Sequence, residues 1–235
     1  MLKVSSVTPK ALHQKWTKAV KTNDIKAMLK TGGRLLQALK KPHSSFALHR
    51  IGILEQLAEL KFQAASYRDA GAYYYALRHI DTRLYGSLSL EVFQDDVHLG
   101  EIAFAQRAIT TALKIYKKIL KQAGQLLGNK NPYFAILLNN LGGVYYAKKD
   151  FVQARKLYEQ SLKINRLNYK KQHKSVAVSF YNLGLVCEAQ GQKDDAAINY
   201  QKACQISKKV MLPHDPTFTV IVNKCEKTTL EGSAF

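Results

Sequence analysis

Apolar side chains recur at intervals of three and four residues along most of the chain, and each run of them ends at a short polar break. From Pro132 onward, Leu138, Leu141 and Tyr145 follow this spacing, and a second run begins after the break at 149–150. That second run consists of Ala154, Leu157, Tyr158, Ser161 and Leu162. Such spacing is typical of amphipathic α-helices, so the segment predicts two helices joined by a tight turn.

The same helix pair is written twice in the sequence. Residues 132–166 align with residues 174–208 at an offset of 42, and nine aligned positions are identical. A constant period of this size indicates stacked structural repeats. The helix starts share the phase as well, because Asn131, His173 and Asp215 occupy equivalent positions before a predicted first helical turn. A side-chain acceptor at that position is a common N-cap, so we expect a helix to begin after each of them.

The 42-residue phase extends in both directions from this pair. It predicts a repeat array over 43–230, followed by a tail at 231–235. The array contains helix pairs at about 44–84, 88–127, 131–168 and 173–210 and a capping helix at 216–229. Residues 1–42 form a basic N-terminal segment with two predicted helices, around Pro9–Lys21 and Asn23–Lys40. Whether this segment is a degenerate first repeat is left open by the sequence.

Small residues sit in the middle of the predicted first helices, where they need an explanation. A glycine inside a helix costs about 1 kcal/mol relative to alanine, yet Gly142 and Gly184 occupy such positions. We expect each to allow close packing against a small residue of the second helix, Ala154 and Ala196 respectively. One repeat position carries a tyrosine in four successive units, and all four are predicted to be buried (Tyr74, Tyr116, Tyr158 and Tyr200). The three cysteines are expected to be reduced core residues.

These residues resemble a known repeat family. Leu-Gly-x-x-Tyr at 141–145, followed by Ala-x-x-x-Tyr-x-x-Ser-Leu at 154–162, resembles the tetratricopeptide repeat, whose usual period is about 34 residues. The longer period here, with Asn-Asn-Leu-Gly at 139–142, is similar to the 42-residue variety of kinesin light chains. The motif is specific over roughly 131–212. The resemblance implies an all-α fold: an α-solenoid, or superhelix, of antiparallel helix pairs closed by a C-terminal capping helix.

A second stripe on each first helix lies roughly opposite the packed one, and we expect it to line the inner curve of the stack. Its apolar, amide and aromatic side chains suit a bound peptide. The resemblance implies that Asn140 and Asn182 contact that peptide, whereas the alternative is that each bonds a neighbouring helix. The predicted partner-binding residues are Gln94, Val97, His98, Glu101, Ile136, Asn139, Asn140, Gly143, Tyr146, Val178, Tyr181, Asn182, Leu185 and Lys224.

Charge bears on the partner rather than on the fold. The chain has 36 lysines and arginines against 17 aspartates and glutamates, a formal net charge of +19. Such a surplus favours an acidic partner, so an acidic protein or peptide segment is our first expectation. A basic nucleic-acid-binding solenoid is the alternative, although the sequence contains no recognised nucleic-acid motif and most aromatics are predicted to be buried.

Known catalytic and metal-binding motifs are missing from the sequence. It contains no Gly-x-Ser-x-Gly, no phosphate-binding glycine loop and no paired cysteines at metal-ligand spacing. We therefore expect a non-enzymatic scaffold or adaptor without a catalytic residue, a metal or a cofactor. No apolar run is long enough to span a membrane, and no secretory signal is apparent, so the expected location is cytoplasmic. The sequence leaves the oligomeric state open.

Overall fold

The computed structural model describes residues 8–38, 47–169 and 171–232 of the chain. These residues form eleven α-helices and no β-strand, so the predicted all-α class is confirmed. Residues 39–46, which include the predicted start of the repeat array, and the last three residues of the predicted tail lie outside the described residues. Within those described, no helix combines the length and apolar character needed to cross a bilayer.

The helices belong to two compact units, divided between Arg107 and Ala108. Unit 1 contains α1 Pro9–Lys21, α2 Ile25–Ala38, α3 Ala47–Gln63, α4 Tyr67–Tyr85 and α5 Leu90–Ala105. Unit 2 contains α6 Ile109–Leu127, α7 Pro132–Ala147, α8 Phe151–Asn168, α9 Lys174–Ala189, α10 Lys193–Val210 and α11 Pro216–Gly232. In each unit, consecutive helices pack against one another. The division falls between the two helices predicted at 88–127.

The helix starts in unit 2 use the caps expected from the sequence. Asn131 Oδ1 accepts a hydrogen bond from the Tyr133 amide at 2.8 Å, and His173 Nδ1 accepts one from the Ser175 amide at 3.2 Å. Asp215 Oδ1 accepts from the Thr217 amide at 2.8 Å. Each bond satisfies a first-turn N–H that has no partner within the helix.

The turn inside each helix pair repeats with the same 42-residue period. Asn23, Ala65, Arg107, Lys149 and Gly191 adopt positive φ values of 50°, 55°, 60°, 63° and 76°. This left-handed conformation is the common way to end a helix and reverse the chain. Asn23 lies in the N-terminal pair, so that pair follows the period of the array even though its side chains have diverged.

The mid-helix glycines of unit 2 lie against tyrosine rings. A Cβ at Gly142 would be 2.6 Å from Tyr158 Cε1, and one at Gly184 would be 2.5 Å from Tyr200 Cε1. Both distances are far shorter than van der Waals contact. The atoms nearest the missing Cβ belong to the tyrosine rings of the second helices, a contact that the predicted packing of these glycines against Ala154 and Ala196 did not include.

The N-terminal pair reverses this arrangement of a small residue and an aromatic ring. Counted by 42, Trp16 occupies the position of Gly142, and Gly32 occupies the position of Tyr158. A Cβ at Gly32 would lie 2.5 Å from Trp16 Cζ3. The ring now comes from the first helix and the space from the second. Trp16 is 5% exposed, and its ring packs α1 onto the next helix.

Unit 1 also contains a cluster of buried acidic side chains that the sequence analysis did not single out. Asp81, Asp95 and Asp96 are each less than a tenth exposed. Arg78 Nε donates to Asp96 Oδ1 at 2.5 Å. Burial, followed by the charge of Asp81 and a hydrogen bond to it, raises the pKa of Asp95 to about 8. At neutral pH the raised pKa favours a protonated Asp95 carboxyl, and this reduces its repulsion with Asp81.

Two adjacent glycines of α2 provide a matched test of this packing. Gly32→Ala places a methyl group against the Trp16 ring and should lower the free energy of unfolding by about 1–3 kcal/mol. Gly33 has nothing within 4 Å of a built Cβ, so Gly33→Ala should raise it by up to about 1 kcal/mol through helix propensity. Urea titration followed by the fluorescence of Trp16, the one tryptophan of the chain, measures both. Equal effects at the two positions would contradict the packing argument.

The acidic cluster makes the stability of unit 1 fall as the pH rises from about 4 to about 8. The folded-state pKa of Asp95 lies above its unfolded value of about 3.9, so the native state binds the proton more tightly. Its stabilising contribution is complete below the unfolded pKa and is lost as the pH rises through about 8. We expect the urea midpoint reported by Trp16 fluorescence to fall as the pH rises between the two pKa values. Asp95→Asn should reduce this pH dependence, because an amide donates a hydrogen bond without titrating. Glu59→Gln, which removes an exposed charge from α3, is the control and should leave most of the slope.

Candidate partner-binding surface

Seven of the predicted site residues form a stripe along the two first helices of unit 2. Ile136, Asn139, Gly143 and Tyr146 lie on α7, and Val178, Tyr181 and Leu185 lie on α9. We call these seven residues the first-helix surface. Ile136 is 46% exposed, and the other six are partly exposed. A stripe of mixed apolar and polar side chains is therefore accessible on consecutive first helices.

A cleft of about 150 Å³ opens between α7 and α9 within this surface. Ile136, Asn139 and Val178 contribute to its walls, together with Lys174. Its base includes the polar side chain of Asn165, which is 4% exposed. Asn165 Nδ2 donates to Ser179 Oγ at 3.2 Å and to the Ser175 carbonyl at 3.3 Å. The cleft thus combines apolar walls, a fixed polar base and a cation at its edge.

Asn140 and Asn182, which occupy the same repeat position, differ in their surroundings. Asn182 Nδ2 donates to Asn139 Oδ1 at 2.7 Å, which joins α9 to α7. For Asn182 the structure therefore shows the bond to a neighbouring helix that was one of the two alternatives. The Asn140 side chain is partly exposed on α7. Polar groups on this part of the surface are thus divided between an internal bridge and an accessible amide.

The carboxylate of Glu188 lies at the C-terminal end of the first-helix surface. Glu188 accepts from Lys224 Nζ at 2.7 Å and from the Tyr200 hydroxyl at 2.7 Å. Burial raises the pKa of Glu188, but the hydrogen bonds from Lys224 and Tyr200 outweigh it, and the pKa is lowered overall. Lys224 Nζ also lies 5.2 Å from the centre of the Tyr200 ring. The predicted site residue Lys224 is therefore held in place by the core tyrosine of the neighbouring pair.

The structure places the four remaining predicted residues in unit 1. Gln94 is exposed, but Val97 is 8% exposed. Little of the Val97 side chain is therefore accessible to a partner, whereas the contact predicted for Gln94 stays a prediction. His98 stacks on the Tyr74 ring at 4.4 Å, and its Nδ1 lies 3.1 Å from Glu101 Oε2. These contacts give His98 and Glu101 a local structural role within the unit.

The residues predicted for the core are buried as expected. Tyr74, Tyr116, Tyr158 and Tyr200 are each less than 5% exposed. The cysteines are free; Cys187 and Cys204 are buried, and Cys225 is half-buried. Burial and a hydrogen bond to Cys204 raise the pKa of the Cys225 thiol to about 11, which suppresses the reactive thiolate. No group of three or more metal-ligating side chains occurs within the described ranges.

The sequence analysis missed the link between Tyr200 and this surface. Tyr200 was identified as a core residue from its repeat position, and its burial is confirmed. Its hydroxyl, however, reaches the surface group Glu188. A sequence feature that could have indicated this link is Glu188 itself, which lies one helical turn after Leu185 and is one of only 8 acidic residues between positions 108 and 235.

Comparison with known proteins matches a family model described as the tetratricopeptide repeat, over residues 96–166 and 133–209. A curated relative, the clustered mitochondria protein homolog of Brugia malayi, is 22% identical over 133 residues. That alignment covers 57% of this chain and 9% of the relative. The chain therefore spans less than a tenth of the length of this relative.

Solved structures of other proteins share the fold. BtubC (BKLC) from P. vanneervenii superposes with a TM-score of 0.69 at 22% identity, covering 88% of this chain and 82% of that one. A Podosopora anserina protein described as a kinesin light chain with nearly identical TPR-like repeats gives 0.60 at 17% identity, covering 81% and 90%. The apo form of RapI gives 0.71 at 13% identity, covering 86% and 70%. The chain therefore carries tetratricopeptide repeats over residues 96–209, and within that span the contact of a tyrosine ring with Gly142 and with Gly184 recurs at the 42-residue period.

Proposed function

We propose that the protein is a non-enzymatic scaffold or adaptor that captures a peptide segment of another protein along the first-helix surface of unit 2. Tetratricopeptide repeats generally serve as protein-interaction scaffolds, because stacked helix pairs present an extended binding surface. The observation that carries the proposal is the cleft of about 150 Å³ between α7 and α9, to which Ile136, Asn139 and Val178 all contribute.

The chemistry of the cleft supports a peptide as the ligand. Ile136 and Val178 offer an apolar contact for one side chain of a bound segment. The partly exposed Asn140 amide, about one helical turn from Ile136 on α7, is available to bond the peptide main chain. Lys174 Nζ at the edge is paired with Asp215 at 2.6 Å. Anchoring therefore depends on apolar contact and amide hydrogen bonds, and net charge contributes mainly to the rate of encounter.

An acidic partner is favoured by the charge of the unit itself. Between positions 108 and 235 the sequence has 20 lysines and arginines and 8 aspartates and glutamates. An excess of positive charge raises the local concentration of anionic partners. The proposal includes neither cofactor nor metal, and the free, largely buried cysteines suit a reducing compartment such as the cytoplasm.

A matched pair of double variants tests the surface. Peptides are selected on the wild-type chain from a random phage-displayed library, and their affinities are measured by fluorescence anisotropy. Ile136→Gln with Val178→Thr should weaken binding by at least about tenfold, since both apolar contacts are lost. Ile198→Gln with Val152→Thr alters residues of similar type that are 48% and 70% exposed on second helices, and it should change affinity by less than about twofold.

The result also separates a peptide scaffold from the nucleic-acid alternative. Peptide affinity anchored in an apolar cleft should persist when salt is raised, whereas nucleic-acid affinity falls steeply as counterions compete. Selection of no peptide, or equal losses in the two double variants, would refute peptide capture at this surface. Tight binding of single-stranded RNA or DNA with a steep salt dependence would instead support the alternative.

The two asparagines should separate stability from affinity. Asn182→Ala removes the partly buried bond to Asn139 and should lower the free energy of unfolding by about 0.5–1.5 kcal/mol. Asn140→Ala should change it by less than about 0.5 kcal/mol but weaken the selected peptide. Urea titration and anisotropy on each single variant provide both numbers. The assignment of Asn140 to ligand binding fails if its removal leaves peptide affinity unchanged.

A further inference from the structure

We infer that unit 2 has a second binding site, separate from the first-helix surface, that takes an acidic peptide segment. The site is a cleft of about 310 Å³ bordered by α8, the α8–α9 loop, α9 and α10. We call it the Phe180 cleft. Its lining residues are Arg166, Lys171, Gln172, Val176, Phe180, Lys202, Gln205, Ile206 and Lys209.

The Phe180 cleft lies on a different side of α9 from the first-helix surface. Phe180 is two residues from Val178 on that helix, which corresponds to about 200° around the helix axis. The cleft and the first-helix surface share no residue. A ligand in one does not need contacts with the other.

Four cationic side chains surround an apolar floor in this cleft. Val176 and Phe180 are buried and Ile206 is half-buried, while Arg166, Lys171, Lys202 and Lys209 are exposed. Arg166 Cζ lies 5.1 Å and Lys202 Nζ lies 5.6 Å from the centre of the Phe180 ring. Cation–π contacts of this kind hold the two charges beside the ring. Because they come from α8 and α10, they flank the cleft from two helices.

No carboxylate of the protein neutralises these charges in the residues that the structure describes. The cleft lining contains no acidic residue. The ion pairs found in unit 2 join Lys174 to Asp215 and Lys224 to Glu188, and neither involves the cleft. Four like charges around one cleft repel one another. An anionic ligand would relieve that repulsion, and this is the physical basis for binding.

The repeat fold does not require cations at these positions. Counted back by 42, Arg166, Lys171, Lys202 and Lys209 correspond to four uncharged residues: Gly124 on α6, Asn129 after α6, and Gln160 and Leu167 on α8. The pair α7–α8 has the same turn and the same glycine–tyrosine packing as the pair α9–α10. The four cations are therefore not a consequence of the repeat.

The mixture of charge, amides and apolar floor favours an acidic peptide over other anions. Ile206 and Val176 provide a floor for one aliphatic side chain, and Gln172 and Gln205 provide amides for the peptide main chain. Nucleic acid fits less well, because Phe180 is 6% exposed and carries cations at its ring, which leaves little face for base stacking. The loop that carries Lys171 and Gln172 is bracketed by Tyr169 and His173, whose rings stack at 3.8 Å.

The preceding pair supplies substitutions that the fold already accepts. Lys171→Asn with Lys202→Gln installs the residues found 42 positions earlier and removes two charges from the cleft. Lys163→Gln with Lys208→Gln is the matched control, because it removes two exposed charges from α8 and α10 outside the cleft lining. The probe is a fluorescein-labelled peptide, Glu-Glu-Leu-Glu-Glu-Leu-Glu-Glu, and a peptide with glutamine in place of every glutamate is its neutral counterpart.

Anisotropy titrations should show saturable binding of the acidic probe to the wild-type chain and none of the neutral peptide. The cleft variant should bind at least about tenfold more weakly, since charge-assisted hydrogen bonds are lost, while the control changes affinity by less than about threefold. Circular dichroism melting should be unchanged in both. Equal losses in the two variants would mean attraction to net charge alone and would overturn the site. Tighter, cleft-dependent binding of a short single-stranded DNA than of the acidic probe would overturn the peptide assignment.

Discussion

A close contact between a glycine and an aromatic ring of the facing helix sets the distance between the two helices in three of the helix pairs. At Gly142 and Gly184 a methyl group would overlap the tyrosine ring of the second helix. The ring is almost completely buried, so it fills the space between the helices and fixes their separation. Trp16 and Gly32 achieve the same fit with the roles exchanged. What the pair requires is therefore complementary volume at two positions, and either helix supplies the ring.

This constraint also orients the surfaces that we propose for binding. With the glycine face of α7 and α9 turned toward the second helices, the first-helix surface is left on another side of each first helix. Tyr200 connects the helix packing to the surface, because its ring lies against Gly184 and its hydroxyl donates a hydrogen bond to Glu188. Glu188 in turn holds Lys224 of α11. The last helix is thus tied to the core of the pair before it through one tyrosine.

A shared backbone has allowed the pairs to acquire different chemistry. The left-handed turn recurs every 42 residues from Asn23 to Gly191, yet unit 1 buries Asp81 and Asp95 while unit 2 exposes a ring of cations around Phe180. Buried carboxyl groups share a proton and make stability depend on pH. Exposed cations without nearby acids remain available to a ligand. Repeats that only need to pack with their neighbours tolerate both.

Local sequence determined the helices and most of the buried positions of this protein. The period of 42, the caps at Asn131, His173 and Asp215 and the inward direction of the four tyrosines follow from spacing along the chain, because helical periodicity decides which side chains share a face. The stripe containing Ile136 and Val178 was predictable for the same reason.

Tertiary packing decided the rest, because contacts between helices depend on side-chain lengths and rotamers that a repeat pattern does not encode. The Tyr158 ring supplies the atoms nearest a Cβ built at Gly142, a contact that spacing along the chain did not predict. Val97 turns inward, and Asn182 bonds Asn139 across two helices. The Phe180 cleft collects residues from three helices and a loop, separated by up to 43 positions from Arg166 to Lys209. Only the folded chain brings them together.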